Sequence, residues 1–396
     1  MADPRSRAID LIEQLHSLIT TLPSNSDSPV TKDALSLARQ LVTALEQPEN
    51  VAVELAFSPF VSIAARVAVQ LNLFQLVASN HGPITSTELV SLSGGEELLI
   101  IRVLRAMAAT GFVKEAGEKK WGATPLTFAM ATEGIAAGHR TLLGRIHCCS
   151  WISSPRYFRE VGYRCPTDPH DGLIQYAFRT KLPSFELLKT MPEVSDDFNT
   201  FMGSTMGARR YWVDWFPVQE RLIRGAMNNS ALLVDVGGGL GHDVLAFQTR
   251  YPNAGRLVLQ DLKSVTDEVE GIDPRIEVMG YDFFEVQPVE GARAYFYHHI
   301  LHDWPDSKCL EILGRVKQAM KPGYSRLLLH EMIMPEEGAS PFHAVLDLAM
   351  MAFNSGMERT ERQWEELTKI AGLKVVKFWS PPQEDGDGIV EIVLEE

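Results

Sequence analysis

Ala231-Leu232-Leu233-Val234-Asp235-Val236 runs straight into Gly237-Gly238-Gly239-Leu240-Gly241, and no other stretch restricts the fold of this chain as much. An apolar run that ends in an acidic residue and four glycines within five positions predicts a buried parallel strand, a tight turn and a helix start. Glycine lets the backbone turn sharply and lets a ligand approach with no Cβ in the way. The next apolar run, Arg256-Leu257-Val258-Leu259-Gln260, ends at Asp261. That spacing, about twenty residues, suits a carboxylate that accepts hydrogen bonds from a ribose diol. Further strands are expected at 276–278, 292–298, 325–333, 373–378 and 389–394, separated by helices or loops. Such alternation predicts an α/β fold, a mainly parallel seven-stranded Rossmann-like sheet covered on both faces. Ligands of such sheets bind at the C-terminal strand ends.

What the loop lacks narrows the nucleotide. There is no Gly-Lys-Ser/Thr, so a P-loop is excluded. The glycines also miss the Gly-x-Gly-x-x-Gly frame of a dinucleotide site. Asp235 stands two positions before the first glycine. A carboxylate there disfavours a pyrophosphate and favours a cation. S-adenosylmethionine, with a sulfonium, an ammonium and no phosphate, meets that condition.

The net charge of −14 opposes binding to nucleic acid or to an anionic membrane surface. No apolar run is read as long enough to span a bilayer, and the first residues lack the apolar core of a signal peptide. The four cysteines form no CxxC pair or zinc pattern. A cytoplasmic protein with reduced thiols is expected.

Residues 1–22 and about 31–45 read as helices, joined by a polar linker at 23–29. Val51 to Val77 is strongly apolar and is read as broken by Pro59. A helix start at Ile84–Leu89, a helix over 96–109 and a short β wing near Val113 and Trp121 outline a winged helix. The acidic charge favours a scaffold or dimerisation role for it over DNA binding. Residues 140–230 carry aromatic and methionine stripes.

The chemistry concentrates in three places. His298-His299-Ile300-Leu301-His302-Asp303-Trp304 follows the fourth strand. The strand-to-loop setting does not set its histidines on one helix face, so no metal is expected there. A neutral imidazole at His302 suits a general base for a phenol. Glu331 ends the next strand and is placed to hydrogen-bond the imidazole N–H. Thr360 and Gln363 form a capping-box pattern, which leaves Glu358 in the loop before that helix. A histidine between two carboxylates keeps its protonated form stable after proton uptake.

These motifs, together with Gln260-Asp261-Leu262 and Gly280-Tyr281-Asp282-Phe283-Phe284, resemble those of the class I S-adenosylmethionine-dependent O-methyltransferases of plant and fungal secondary metabolism. The resemblance runs from about residue 50 to the C-terminus. Trp212-Val213-Asp214-Trp215-Phe216-Pro217 is similar to the fungal branch. The resemblance implies that Gly237 and Gly239 line the methionine part of the cofactor, with Gly241 in the same loop. It implies that Asp261 holds the ribose and that Asp282 and Phe283 frame the adenine. His302 would be the base, with Glu331 and Glu358 beside it. His298 stands where plant relatives commonly carry a lysine, which makes it a weaker cofactor candidate. Phe198, Met202, Met206, Met350 and Asn354 are similar to acceptor-pocket positions. Residues 1–135 would form a winged-helix-like dimerisation domain of a homodimer, and 136–396 the catalytic domain. The expected reaction is methyl transfer to a hydroxyl of a small aromatic or polyketide-type metabolite. A second reading is a pericyclase or dehydratase, as in pyridone alkaloid pathways, that binds the same cofactor without consuming it. His139, Arg145, His147 and Arg209 would serve either reaction. A third is a non-catalytic winged-helix regulator.

Overall fold

A computed structural model of the protein describes residues 4–23, 28–142, 145–204, 211–381 and 386–395, with backbone alone at 4, 29 and 145–148. The chain forms two compact units, Met1–Ala131 and Thr132–Glu396.

The first unit holds helices α1 (Pro4–Leu18), α2 (Pro29–Leu45), α3 (Pro48–Gln70), α4 (Leu73–Ser79), α5 (Ser86–Ser93), α6 (Glu97–Ala109) and α7 (Pro125–Met130). Strands β1 (Ile84–Thr85), β2 (Val113–Glu115) and β3 (Lys120–Ala123) pair antiparallel in the order β1-β3-β2, completing a winged helix. Ile100, Val103, Leu104 and Met107 form the buried stripe of α6. The expected break at Pro59 does not occur: α3 runs through it. Proline at that position cannot donate to the Leu55 carbonyl one turn back. The Ser58 hydroxyl donates to that carbonyl instead, at 2.9 Å. The expectation of no span-length apolar run is also corrected. With Pro59 inside it, α3 reaches 23 residues and is long and apolar enough, by length and composition alone, to cross a bilayer.

The second unit opens with α8 (Glu133–Leu142), α9 (Arg145–Glu160), α10 (Leu173–Phe178), α11 (Ser184–Lys189) and α12 (Pro192–Ser204). Then follow β4 (Ala231–Val236), α13 (His242–Arg250), β5 (Arg256–Asp261), α14 (Lys263–Thr266), β6 (Ile276–Gly280) and β7 (Ala294–His298). After these come α15 (Asp306–Ala319), β8 (Arg326–Glu331), β9 (Ile333–Met334), α16 (Pro341–Asn354), β10 (Arg359–Thr360), α17 (Glu361–Ile370), β11 (Leu373–Trp379) and β12 (Gly388–Leu394).

Seven strands make one sheet in the order β11-β12-β8-β7-β4-β5-β6, with β12 antiparallel to both of its neighbours. Chain order reverses direction at β4, between β5 and β7, and such a switch point opens a crevice. Side chains alternate between two cores. Val234, Tyr295, Tyr297, Leu327 and Leu329 enter one; Leu233, Phe296 and Leu328 enter the other. The register pairs Val236 with both Gln260 and Tyr297, and His298 with His330. The ends of β4, β5, β7 and β8 therefore emerge side by side. The strand expected at 325–333 divides in two. Met332 separates β8 from β9, and β9 pairs parallel with β10, Ile333 opposite Arg359. That small ladder carries Glu358 to the neighbourhood of Glu331.

Candidate active site

Gly237 leaves β4 with φ +71, and a Cβ there would lie 2.6 Å from Ile300 Cδ1. Only glycine serves both conditions. Gly239 donates its N–H to Asp261 Oδ2 at 2.8 Å, and Leu262 donates to Oδ1 at 2.7 Å. Gly241 is the residue before the first turn of α13. Burial pushes the Asp261 carboxyl above its usual range, against these two N–H donors. Tyr281 donates its N–H to the Asp261 carbonyl at 2.7 Å, which sets the next loop. In that loop Asp282 Oδ1 accepts from Phe284 N at 2.9 Å, and Phe283 is half-buried. Gly237, Gly239, Asp261, Asp282 and Phe283 thus share the crevice end of the sheet. Asp235 does not: it is fully buried below the loop, where Oδ2 accepts from Val244 N at 3.2 Å. Burial, then the Asp243 charge, push its carboxyl well up. That bond to Val244 braces β4 against α13.

His302 lies in a 3-10 turn, Leu301–Asp303, directly after β7. Its Nδ1 is 2.8 Å from Glu358 Oε1, both side chains being buried. The expected Glu331 bond to the imidazole is absent, with 4.0 Å separating Nδ1 from Oε2. Glu331 Oε1 instead accepts from Leu301 N at 2.8 Å and Ile300 N at 3.2 Å. Backbone N–H groups at the start of the turn are nearer to the end of β8 than the ring is. Asp303 Oδ1 lies 3.8 Å from His302 Nε2. Burial pulls the imidazole pKa down, but Glu358, Asp303 and Glu331 outweigh it and raise it to about 10. Burial pushes the Asp303 carboxyl up to about 7.

Arg359, which no sequence argument singled out, holds this turn. It is buried, and donates to the Leu301 carbonyl at 3.1 Å and the Trp304 carbonyl at 3.0 Å. Two further bonds reach Asp306 Oδ1. Met357 N donates to the His302 carbonyl at 2.9 Å. Gly356 packs so tightly on that carbonyl that no Cβ would fit.

An aromatic wall stands nearby. Phe198 of α12 stacks on Phe353 at 5.8 Å, and Phe185 meets Phe198, Phe353 and Trp304 at 6.3, 5.1 and 6.2 Å. Asn354 is fully buried, its Oδ1 3.4 Å from Ser184 N, and its Nδ2 has no hydrogen-bond partner among the described residues. Met350 is half-buried and Met202 exposed. Met206 and Arg209 lie outside the described residues, as do the side chains of Arg145 and His147. Sequence reasoning missed Phe185, Phe353 and Arg359. The one available signal was Arg359 following Glu358 directly.

His298 packs between two other rings, 4.1 Å from His330 and 4.4 Å from His299. Its Nδ1 is 2.7 Å from Asp243 Oδ2. Burial lowers the His298 pKa, but Asp243 outweighs this and the net shift is upward.

This site sits in a fold with known relatives. A model of the O-methyltransferase domain matches residues 173–374, and a model of the O-methyltransferase dimerisation domain matches residues 53–133. The chain belongs to the O-methyltransferase family. It is 50% identical over 382 residues to O-methyltransferase penC of Penicillium thymicola, covering 96% of each chain. It is similar to the structure of LepI in complex with SAM, with a TM-score of 0.87 at 28% identity over 98% of this chain and all of that one. The structure of a pericyclic reaction enzyme matches with the same figures.

Proposed function

We propose that this chain is an S-adenosylmethionine-dependent O-methyltransferase that methylates a hydroxyl of a small aromatic or polyketide-type metabolite, with His302 as the general base. The observation that carries this reading is the Glu358–His302 pair at the crevice end of β7, bordered by the Phe185, Phe198 and Phe353 wall.

The crevice fits the cofactor. Gly239 has open space where a side chain would stand, and Asp261 ends the neighbouring strand, suited to a ribose diol. Gly237, Gly239, Gly241 and Asp261 would hold the methionine and ribose parts, and Asp282 and Phe283 the adenine. When bound, the cofactor supplies a methyl group on a positively charged sulfur. The chain's own residues do the rest. Phe198, Met350 and Asn354 orient the acceptor, and Met202 stands at an exposed edge. His302 Nε2 takes the hydroxyl proton, Glu358 fixes the ring through Nδ1, and Glu331 holds the turn that carries the ring. Orientation supplies much of the rate, and proton removal about 10²–10⁴-fold. His298 is drawn toward Asp243 and is the weaker cofactor contact.

The first unit is a dimerisation domain by its family, and we place the chain in a cytoplasmic homodimer that binds neither nucleic acid nor membrane. The test of function is direct. Purified protein incubated with S-adenosylmethionine and phenolic candidates should release S-adenosylhomocysteine in step with methylated product. The similarity to a pericyclic reaction enzyme keeps one alternative in view. A product isomeric with its substrate, formed with the cofactor intact, would establish that alternative and overturn methyl transfer.

A further inference from the structure

A second group of buried and half-buried side chains is drawn from the first turn of α13, the end of β7 and the end of β8. We propose that Asp243, His298 and His330 form a binding site for one first-row divalent cation. One ligand atom from each side chain lies within 4.8 Å of the other two. His298 Nδ1 and Asp243 Oδ2 are already 2.7 Å apart. Metal bonds to imidazole and carboxylate run about 2.0–2.2 Å, so side-chain adjustments on the order of an ångström would seat all three atoms on one ion.

An independent observation concerns satisfaction of polar atoms. Asp243 Oδ1 and His330 Nδ1 are buried without a hydrogen-bond partner among the described residues, and the two residues are only 9% and 2% exposed. Buried polar atoms are nearly always paired, so two unpaired polar atoms on residues of one cluster call for a ligand. Two imidazoles and one carboxylate suit Zn2+, Co2+ or Fe2+ and are a poor match for Mg2+ or Ca2+, which prefer oxygen. Sequence spacing gave no sign of this site, because the three residues are 55 and 32 positions apart; the parallel β7–β8 pairing sets His298 beside His330, and α13 brings Asp243 to them. Such an ion would tie α13, and with it the glycine loop, to the two strands that carry His302 and Glu331.

Chelator-treated protein titrated with Zn2+ should bind one equivalent and melt at a higher temperature. Co2+ in its place should give visible d–d absorption bands. Asp243→Asn and His330→Gln should each weaken zinc binding at least tenfold, whereas His299→Gln leaves it unchanged. Equal binding in all variants, loss on His299→Gln, or no binding to the wild type overturns the proposal. Should a variant not fold, wild-type crystals soaked in Zn2+ decide the matter. Anomalous density at the zinc edge among the three side chains supports the site, and a water or nothing there overturns it.

Discussion

A protonated imidazole accepts no proton, so the charge on His302 governs when the site can work. With its pKa raised to about 10, the ring is cationic at neutral pH in the cofactor-free chain. A second positive charge in the crevice opposes that state and lowers the pKa. In an NMR titration His302 should therefore titrate near 10 alone and at least a full unit lower with S-adenosylmethionine. A value that does not move on binding would refute this coupling. Glu358→Gln removes the partner 2.8 Å away and frees the ring to adopt the wrong tautomer. Its kcat should fall roughly 10²–10⁴-fold, and the ring pKa should fall with it. His302→Ala should abolish turnover and leave cofactor affinity within about twofold. Stability follows the same charge. The folded pKa, about 10, exceeds the unfolded value of about 6.5. The stabilisation is therefore complete below about pH 6.5 and fades as pH rises through the folded value. Urea midpoints at pH 6, 8 and 10 should show this decline in the wild type and much less of it in Glu358→Gln.

At the scale of elements, the turn after β7 owes its shape to partners that arrive from far along the chain. Arg359 satisfies the Leu301 and Trp304 carbonyls that flank the base, and Gly356 packs beneath the His302 carbonyl. Arg359→Met leaves those carbonyls buried and unpaired, at about 1–3 kcal/mol each. Chemical denaturation should register that loss, and kcat should drop more than KM rises, because the ring is displaced while the cofactor loop stays whole. A variant with normal kcat would show that the turn holds itself. The strands and the glycine turn were legible in the sequence because an apolar run ending in glycines has few other ways to fold. Glu358 was legible as a loop residue through the Thr360 cap. Its bond to His302 was not, since it depends on β9 pairing with β10, two dipeptides too short to show a period. Asp235 misled for a related reason. Position in a motif does not reveal which way a side chain at a strand end turns, and here it turns under the loop toward Val244. Pro59 misled because local rules do not include a serine hydroxyl taking over the unpaired carbonyl.

For the whole molecule the open question is what covers α3. Val53, Leu55, Phe57, Phe60 and Ile63 are each more than half exposed in the single chain. So many large apolar side chains on one 23-residue helix are costly in water. Two coverings are physically available, a bilayer and a second copy of the chain. The net charge of −14 disfavours an anionic membrane, and most of α3 falls within the segment matched by the dimerisation model. The second copy is therefore the expected cover. Wild-type protein should sediment as a dimer and stay in the soluble fraction when mixed with anionic vesicles. Phe57→Asp combined with Phe60→Asp places two charges where apolar contact is needed, and a buried unpaired charge is strongly unfavourable. That double variant should sediment as a monomer at micromolar concentration. The same dimer persisting in the double variant would move the interface elsewhere, and flotation of the wild type with vesicles would give α3 to the membrane instead.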